Sequence, residues 1–120
     1  MADTQVRAYL SYFNAHDLLA IKNCLDIDCQ VGLNDGTILV QGRDNMLKLY
    51  EDDFKNPNCF AKIIKFIGMK ENEDETENVR MLLEFEGKDK DVRKQIDVDY
   101  VMRKNDFQMV KHIIHSVTNV

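Results

Sequence analysis

Apolar residues recur with helical spacing at the start of the chain. Four of them occupy positions i, i+3, i+4 and i+7 of one helix face: Val6, Tyr9, Leu10 and Phe13. An amphipathic helix buries such a stripe. The polar stretch 14–17, Asn-Ala-His-Asp, interrupts the pattern, and the carboxylate of Asp17 is suited to cap a short second helix that ends near Leu25. The spacing therefore predicts two helices joined by a polar corner.

A hairpin and a third helix are predicted next. Asn34-Asp35-Gly36 separates two short apolar runs, and Asp-Gly favours a tight turn because glycine adopts positive φ without steric penalty. Helical spacing returns after Gly42, with four residues on one face: Met46, Leu49, Tyr50 and Phe54. Pro57 lies just beyond them, where a helix could not continue.

From about residue 60 onward the hydrophobic period becomes two. Alternating segments cover 63–67, 79–85, 96–103 and about 107–117, with short charged or glycine-containing connections between them. Short connections imply antiparallel neighbours. Three helices and a hairpin before these strands predict an α+β fold with the helices on one face of an antiparallel sheet. No repeat or linker divides the chain, so residues 1–120 are predicted to form a single domain.

Composition and charge argue against several classes of function. The 120 residues carry a formal charge of −5 at neutral pH, which opposes binding to the phosphate backbone of nucleic acids. No apolar run approaches the roughly 18–20 residues that span a bilayer, and the first residues resemble no secretory signal. The cysteines show no metal-ligand spacing. We therefore expect a cytoplasmic protein with reduced thiols, no metal or cofactor, and neither nucleic acid nor membrane as a partner.

Two motifs and their spacing resemble a known superfamily. The stretch YLSYFNAHDLLAI is followed about 25 residues later by GRDNMLKLYE and then by four long strands. This order is similar to that of the nuclear transport factor 2-like superfamily, which includes SnoaL-like polyketide cyclases and ketosteroid isomerases. The resemblance implies a cone, in which a strongly bent antiparallel sheet wraps around three helices of the N-terminal half. It also implies an apolar pocket inside that cone.

The resemblance assigns candidate residues to the pocket. Side chains expected to face inward are Tyr9, Phe13, Ile96, Val98, Tyr100, Met102, His112 and Ile114. Tyr9 and Tyr100 match the two oxyanion donors of ketosteroid isomerases, but the position of the catalytic carboxylate holds Leu33. SnoaL-like cyclases place a carboxylate near the position of Ile114, and it is also missing. Isomerisation of a steroid by the usual route is therefore not expected.

His112 is the inward candidate whose ordinary pKa suits general acid–base chemistry near neutrality. Together with Tyr9 and Tyr100 it could serve a lyase or isomerase of the dehydratase or cyclase type, similar to scytalone dehydratase. The alternative is a core histidine satisfied by a phenol or a carbonyl group, with the two tyrosines as aromatic core residues. Both alternatives stay open from the sequence.

The opposite sheet face combines apolar and charged positions. Leu82, Val101 and Ile113 alternate with charged residues, and strand alternation sends Asp97 and Asp99 to this face as well. An apolar patch with a charged rim is typical of an association surface. Because related proteins commonly dimerise through this face, we expect a homodimer.

Three hypotheses for the function follow. The first is binding of a small hydrophobic ligand in the cone, with Phe13, Ile96, Val98, Met102 and Ile114 as contacts. The second is catalysis by His112, Tyr9 and Tyr100. The third is a homo-oligomeric association module without catalysis. The distance of His112 from the two phenols tests the second hypothesis, and a pocket too small for a ligand would favour the third.

Overall fold

The computed structural model describes residues 2–120. Its elements, in chain order, are α1 (Ala2–Asn14), α2 (Leu18–Cys24), β1 (Leu25–Leu33), β2 (Ile38–Gln41), α3 (Arg43–Asp53), β3 (Phe60–Glu71), β4 (Thr76–Glu86), β5 (Arg93–Arg103) and β6 (Met109–Asn119).

The strands form one curved, open six-stranded sheet in the order β2-β1-β6-β5-β4-β3. Strands β3 to β6 follow one another as antiparallel neighbours, and β1 pairs with β2 through the predicted hairpin. The pair β1–β6, which joins the first strand to the last, is parallel. The predicted α+β fold with a bent sheet around three helices is confirmed, and its antiparallel order has this single exception.

The polar corner 14–17 ties the helices to β3. The side-chain amide of Asn14 donates to the carbonyl oxygen of Ala61 (2.9 Å) and accepts from its N–H (2.8 Å), as a neighbouring strand would. The backbone of His16 has a positive φ of 54°. The Nε2 atom of its side chain lies 2.9 Å from the carbonyl oxygen of Cys59. Each such bond contributes on the order of 1 kcal/mol. The motif thus specifies the fold rather than chemistry.

The predicted cap and turn are both confirmed. Asp17 is the N-cap of α2, and its Oδ1 accepts from the N–H of Ala20 at 3.1 Å. In the hairpin, Gly36 has φ = 95°, and Asp35 Oδ1 accepts from the N–H of Thr37 at 2.9 Å. These features are local, which is why their sequence signals were clear.

Strand β3 departs from the strict alternation predicted for residues 63–67. Its register against β4 shifts at Ile64 and again at Ile67, as in β-bulges. An extra residue bends the strand and leaves its own backbone groups unpaired. The shifts leave Ile64 and Phe66 exposed at this edge of the sheet. Edge strands commonly carry such bulges, because a bent edge pairs poorly with another chain.

Helix α1 covers the concave face of the sheet and forms the core with it. Val6 and Phe13 are buried in the same cluster as Val79, Met81 and Met109. Burial of such side chains is the main favourable term in folding. None of the helices formed by residues 2–120 has the length and apolar character needed to cross a membrane.

Candidate functional site

Alternate residues of β5 and β6 point into the cone. Tyr100 lies directly opposite His112 in the β5–β6 ladder, and Val98 lies opposite Ile114. Val98, Tyr100 and His112 are buried, as is Met102, whereas Ile114 is only half-buried. Ile96 is also half-buried. The structure therefore brings most of the inward candidates together on one face, with Ile96 and Ile114 at its margin.

Helices α1 and α3 each add a phenol to this face. The hydroxyl oxygens of Tyr9 and Tyr50 lie 2.6 Å apart, so one donates a hydrogen bond to the other. The ring of Tyr9 also packs against that of Tyr100, with centroids 5.8 Å apart. Tyr50 was not among the predicted site residues. The sequence placed it on the buried face of its helix, but only helix packing decides that it meets Tyr9.

His112 packs against two of these tyrosines. Its ring contacts Tyr100 and Tyr9 edge to face, at centroid distances of 4.7 and 5.5 Å. The side chain is 5% exposed, and its Nε2 atom has no hydrogen-bond partner. A buried polar atom without a partner costs about 1–3 kcal/mol, so its presence in a folded protein requires a reason.

We call Tyr9, Tyr50, Tyr100 and His112 the phenol–imidazole cluster. Burial lowers the pKa of His112 to about 3, because charging an imidazole away from water is unfavourable. Burial also raises the pKa of each of the three phenols above its ordinary value. All four groups are therefore uncharged near neutral pH. The cluster can donate and accept hydrogen bonds, but it carries no charge.

Catalytic carboxylates do not take part in the cluster. Position 33, where ketosteroid isomerases carry their base, holds a half-buried leucine in β1. Within residues 2–120, no carboxylate forms a hydrogen bond with any of the four cluster side chains. Tyr9, Tyr100 and His112 are each at most 5% exposed, so side chains fill the space where the resemblance implied an open pocket.

An aromatic series connects the cluster to a surface cleft. Phe13 packs against Tyr50, Phe54 and Phe85, with ring centroids 5.6, 5.1 and 5.9 Å away. Phe85 in turn lines a cleft of about 150 Å³ between the end of α3 and the β4–β5 connection. We call this space the mouth cleft. The predicted ligand contact Phe13 thus lies between the cluster and the mouth cleft.

The convex face of the sheet has a different chemistry. Arg80 donates two hydrogen bonds to Asp97, both of 2.8 Å, and His115 Nε2 lies 2.8 Å from an oxygen of Asp99. The hydrogen bonds from Arg80 lower the pKa of Asp97 below its ordinary value. Asp97 and Asp99 therefore form structural pairs on this face, outside the cone.

The residues predicted to carry a homodimer lie on the same convex face. Val101 is 9% exposed in the single chain, and Leu82 and Ile113 are half-buried. The dimer through these three residues stays a prediction.

No protein-family model matches the chain, and no curated protein matches it by sequence. Crystal structures do match it. An uncharacterised protein with a cystatin-like fold from Caulobacter vibrioides aligns with a TM-score of 0.71 at 12% identity, over 98% of this chain and 86% of that chain. The chain has a cystatin-like fold. A ketosteroid isomerase-like protein from Erwinia carotovora atroseptica aligns with a TM-score of 0.67 at 17% identity, over 98% of this chain and 92% of the other.

A third similar structure is an LEH-like epoxide hydrolase from M. tuberculosis. It has a TM-score of 0.67 and 13% identity, over 95% of this chain and 80% of that chain. The predicted likeness to nuclear transport factor 2-like proteins is thereby confirmed at the level of the fold. Identities this low concern the fold alone, because one fold hosts many unrelated functions.

Proposed function

We propose that this protein binds a small, uncharged and largely apolar molecule inside the cone. The observation that carries the proposal is the partnerless Nε2 atom of His112 in the phenol–imidazole cluster. A ligand with one carbonyl or hydroxyl group would hydrogen-bond to this atom, and its apolar body would lie against Phe13, Val98 and Met102. Small-molecule sites generally combine apolar walls with a few convergent polar groups.

Neutrality of the ligand follows from the electrostatics of the cluster. A charged group brought next to uncharged, buried side chains would lose its hydration without gaining a counter-ion. A neutral hydroxyl or carbonyl group loses less hydration and gains the hydrogen bond that His112 lacks. The cluster therefore favours phenols, alcohols and ketones over acids and amines.

Binding is better supported than catalysis. A general base works best when its pKa is near the working pH, and burial lowers the pKa of His112 to about 3. No carboxylate takes the place of the missing base at Leu33. The hypothesis of a lyase or isomerase still has one observation in its favour, because the His112 ring contacts both Tyr9 and Tyr100.

Entry of a ligand requires the core to open. The cluster is packed, and an aromatic series from the mouth cleft runs through Phe85, Phe13 and Tyr50. Rotation of Phe13 and Phe85 would admit a flat molecule from the mouth cleft. Binding is then expected to be slow compared with diffusion, since it requires a conformational change.

Matched ligand pairs test the proposal. Thermal unfolding at pH 7 is measured with naphthalene against 2-naphthol and with indane against 1-indanone, with 2-naphthoate as the charged analogue. A ligand that binds only the folded state raises the melting temperature. We expect the oxygenated neutral member of each pair to raise it most. If no compound raises it, or if 2-naphthoate is as effective as 2-naphthol, the proposal is wrong.

A pair of histidine variants controls this test. His112→Phe keeps an aromatic ring but removes the nitrogen, so it should abolish the preference for the oxygenated compounds. His115→Gln lies on the convex face of the same strand and should keep the wild-type preference. A preference that survives in His112→Phe would place the polar contact elsewhere.

The filled cone supports the hypothesis of an association module, which has its own measurement. Sedimentation equilibrium determines whether the chain is a dimer in solution, and Ile113→Asp should dissociate a dimer formed through the convex face. A monomeric wild type would remove this hypothesis.

A further inference from the structure

The mouth cleft holds charged side chains of both signs, and two of them, Asp53 and Lys94, form no ion pair within residues 2–120. Two acidic and two basic residues line it, Asp53, Asp89, Lys88 and Lys94, beside the apolar Phe85 and Val92. Its volume of about 150 Å³ equals that of about five water molecules at their liquid volume. The cleft is therefore large enough for a small organic molecule.

Asp53 at the end of α3 has no basic partner. Its Oδ1 atom accepts one hydrogen bond, from the backbone N–H of Lys88 at 3.1 Å. The ammonium groups of Lys55 and Lys88 lie 3.3 and 3.6 Å from Asp52 instead. Burial raises the pKa of Asp53, and the backbone N–H and the charge of Lys88 oppose this without bringing the pKa back to its ordinary value. Within residues 2–120, no ammonium or guanidinium group lies at salt-bridge distance from this half-buried carboxylate to compensate fully for its burial.

Lys94 supplies the opposite charge on the other wall. It lies directly opposite Phe85 in the β4–β5 ladder, which places it on the concave side at the end of the sheet. Within residues 2–120 neither Lys94 nor Asp53 forms an ion pair, with each other or with any other side chain. One cleft thus holds an anion and a cation that do not neutralise each other.

Gly87 keeps the walls of this cleft close together. A Cβ atom at this position would lie 2.9 Å from a ring carbon of Phe85 and 3.0 Å from Oδ1 of Asp53. Carbon atoms without bonds between them do not approach so closely, so any other residue would displace the ring or the carboxylate. The glycine is therefore a condition for the present arrangement of Asp53 and Phe85.

We infer that the mouth cleft is a second binding site, for a small zwitterion such as a free amino acid with a short apolar side chain. The ammonium group pairs with Asp53, the carboxylate pairs with Lys94, and the side chain lies against Phe85 and Val92. Charge-assisted hydrogen bonds at both ends give the site its selectivity. The polar contacts of this site are Asp53 and Lys94 and do not include His112, so its binding test is separate from that of the ligand site in the cone, although both sites use Phe85.

Titration with L-valine tests the inference on the wild-type protein. Backbone amide shifts are followed by NMR as L-valine is added, and then in separate titrations with isobutylamine and isobutyrate. We expect saturable shifts around residues 85–94 with L-valine, and at least about tenfold weaker binding of each half-ligand, since each lacks one charge-assisted bond. Absence of saturable binding up to tens of millimolar, or equal affinity for valine and either half-ligand, overturns the inference.

Charge variants assign the two ends. Asp53→Asn should weaken valine binding by about tenfold or more and leave weak isobutyrate binding unchanged. Lys94→Met should weaken valine binding to a similar extent and leave weak isobutylamine binding unchanged. Glu51→Gln removes a carboxylate of the same helix that does not line the cleft, and Lys90→Met removes a lysine of the adjacent loop. Both controls should bind valine as the wild type does. Equal losses in Asp53→Asn and Glu51→Gln would mean general electrostatics and would contradict the site.

Discussion

His112 and His115 lie three residues apart on one strand and have opposite environments. The ring of His112 is buried among aromatic groups and its Nε2 atom has no partner, whereas Nε2 of His115 lies 2.8 Å from a carboxylate oxygen of Asp99. The register of β6 against β5 shifts between Asp97 and Val98, so that His115 has no direct partner in the ladder. The difference follows from the face that each residue occupies.

The comparison extends to the two faces of the sheet. At the centre of the concave face, the phenol–imidazole cluster stays neutral because burial disfavours its charged forms. On the convex face, Arg80 and Asp97 form an ion pair in which both side chains reach water. The first group carries the proposed ligand site, whereas the second links neighbouring strands. Variants on each face test this distinction.

The largest expected effect concerns His112 and pH. Its pKa in the folded protein is about 3, below the ordinary value of 6.5. The unfolded chain therefore takes up a proton first as the pH falls, so the contribution of His112 to stability is complete above pH 6.5 and is lost below it. Between pH 7 and pH 4 the wild type should lose about 3 kcal/mol more than His112→Phe. Urea unfolding at several pH values measures this difference.

Carboxylates titrate in both proteins, so only the difference between the two pH profiles is diagnostic. Parallel profiles for the wild type and His112→Phe would mean that the imidazole is hydrated in the folded state.

The hydrogen bond between Tyr9 and Tyr50 should have a smaller effect. Tyr9→Phe removes one hydroxyl group and leaves the other without its partner, which is expected to cost about 1–2 kcal/mol. The effect should not depend on salt, because both groups are neutral. A double-mutant cycle with Tyr50→Phe isolates the interaction energy. A coupling energy of zero would mean that water satisfies each hydroxyl separately.

The ion pair of Arg80 and Asp97 should contribute less than the phenol pair. Both side chains reach solvent on the convex face, so their attraction is screened. Asp97→Asn should lower the unfolding free energy slightly at low salt and leave it unchanged at about 1 M salt. Because Arg80 lowers the pKa of Asp97, the contribution is present above the ordinary pKa of aspartate and is lost as the pH falls below it. A loss that persists in high salt would indicate that the pair acts through packing.

The smallest effect is expected at Asp53, and it has the opposite sign. Its pKa is raised by burial, so its contribution to stability is complete below the ordinary pKa and is lost as the pH rises through the raised value. Asp53→Asn keeps an acceptor for the N–H of Lys88 and should therefore raise the melting temperature slightly at pH 7 but not at pH 3. If Asp53→Asn and the wild type have the same melting temperature at pH 7 as well as at pH 3, Asp53 is fully hydrated in the folded protein.

Much of the fold could be predicted because its signals are local. The cap at Asp17 and the turn at Gly36 depend on backbone conformations that few residues accept. The alternation from Ile96 to Met102 assigned the concave and convex faces correctly, since a strand sends successive side chains to opposite sides. The resemblance of the motif around Asn14 to known proteins implied the cone. In the structure, the hydrogen bonds of Asn14 fix the end of α1 to β3, which is how this motif helps to specify the fold.

Parts of the candidate site could not be predicted, because they depend on how distant segments meet. Tyr50 lies opposite Tyr9 only because of the way α3 packs against α1. The bulges at Ile64 and Ile67 have no clear signal in an apolar strand, since the energetic difference between a regular edge and a bulged edge depends on its neighbour.

The sequence by itself determined which segments are helices and strands and which side chains of each strand share a face. These properties follow from local sterics and from the periodicity of apolar residues. Only the tertiary structure decided that the cone is filled around His112 and that Asp53 and Lys94 share a cleft without pairing. Burial and charge pairing arise from contacts between residues far apart in the chain, and those contacts set the pKa values and the chemistry of both proposed sites.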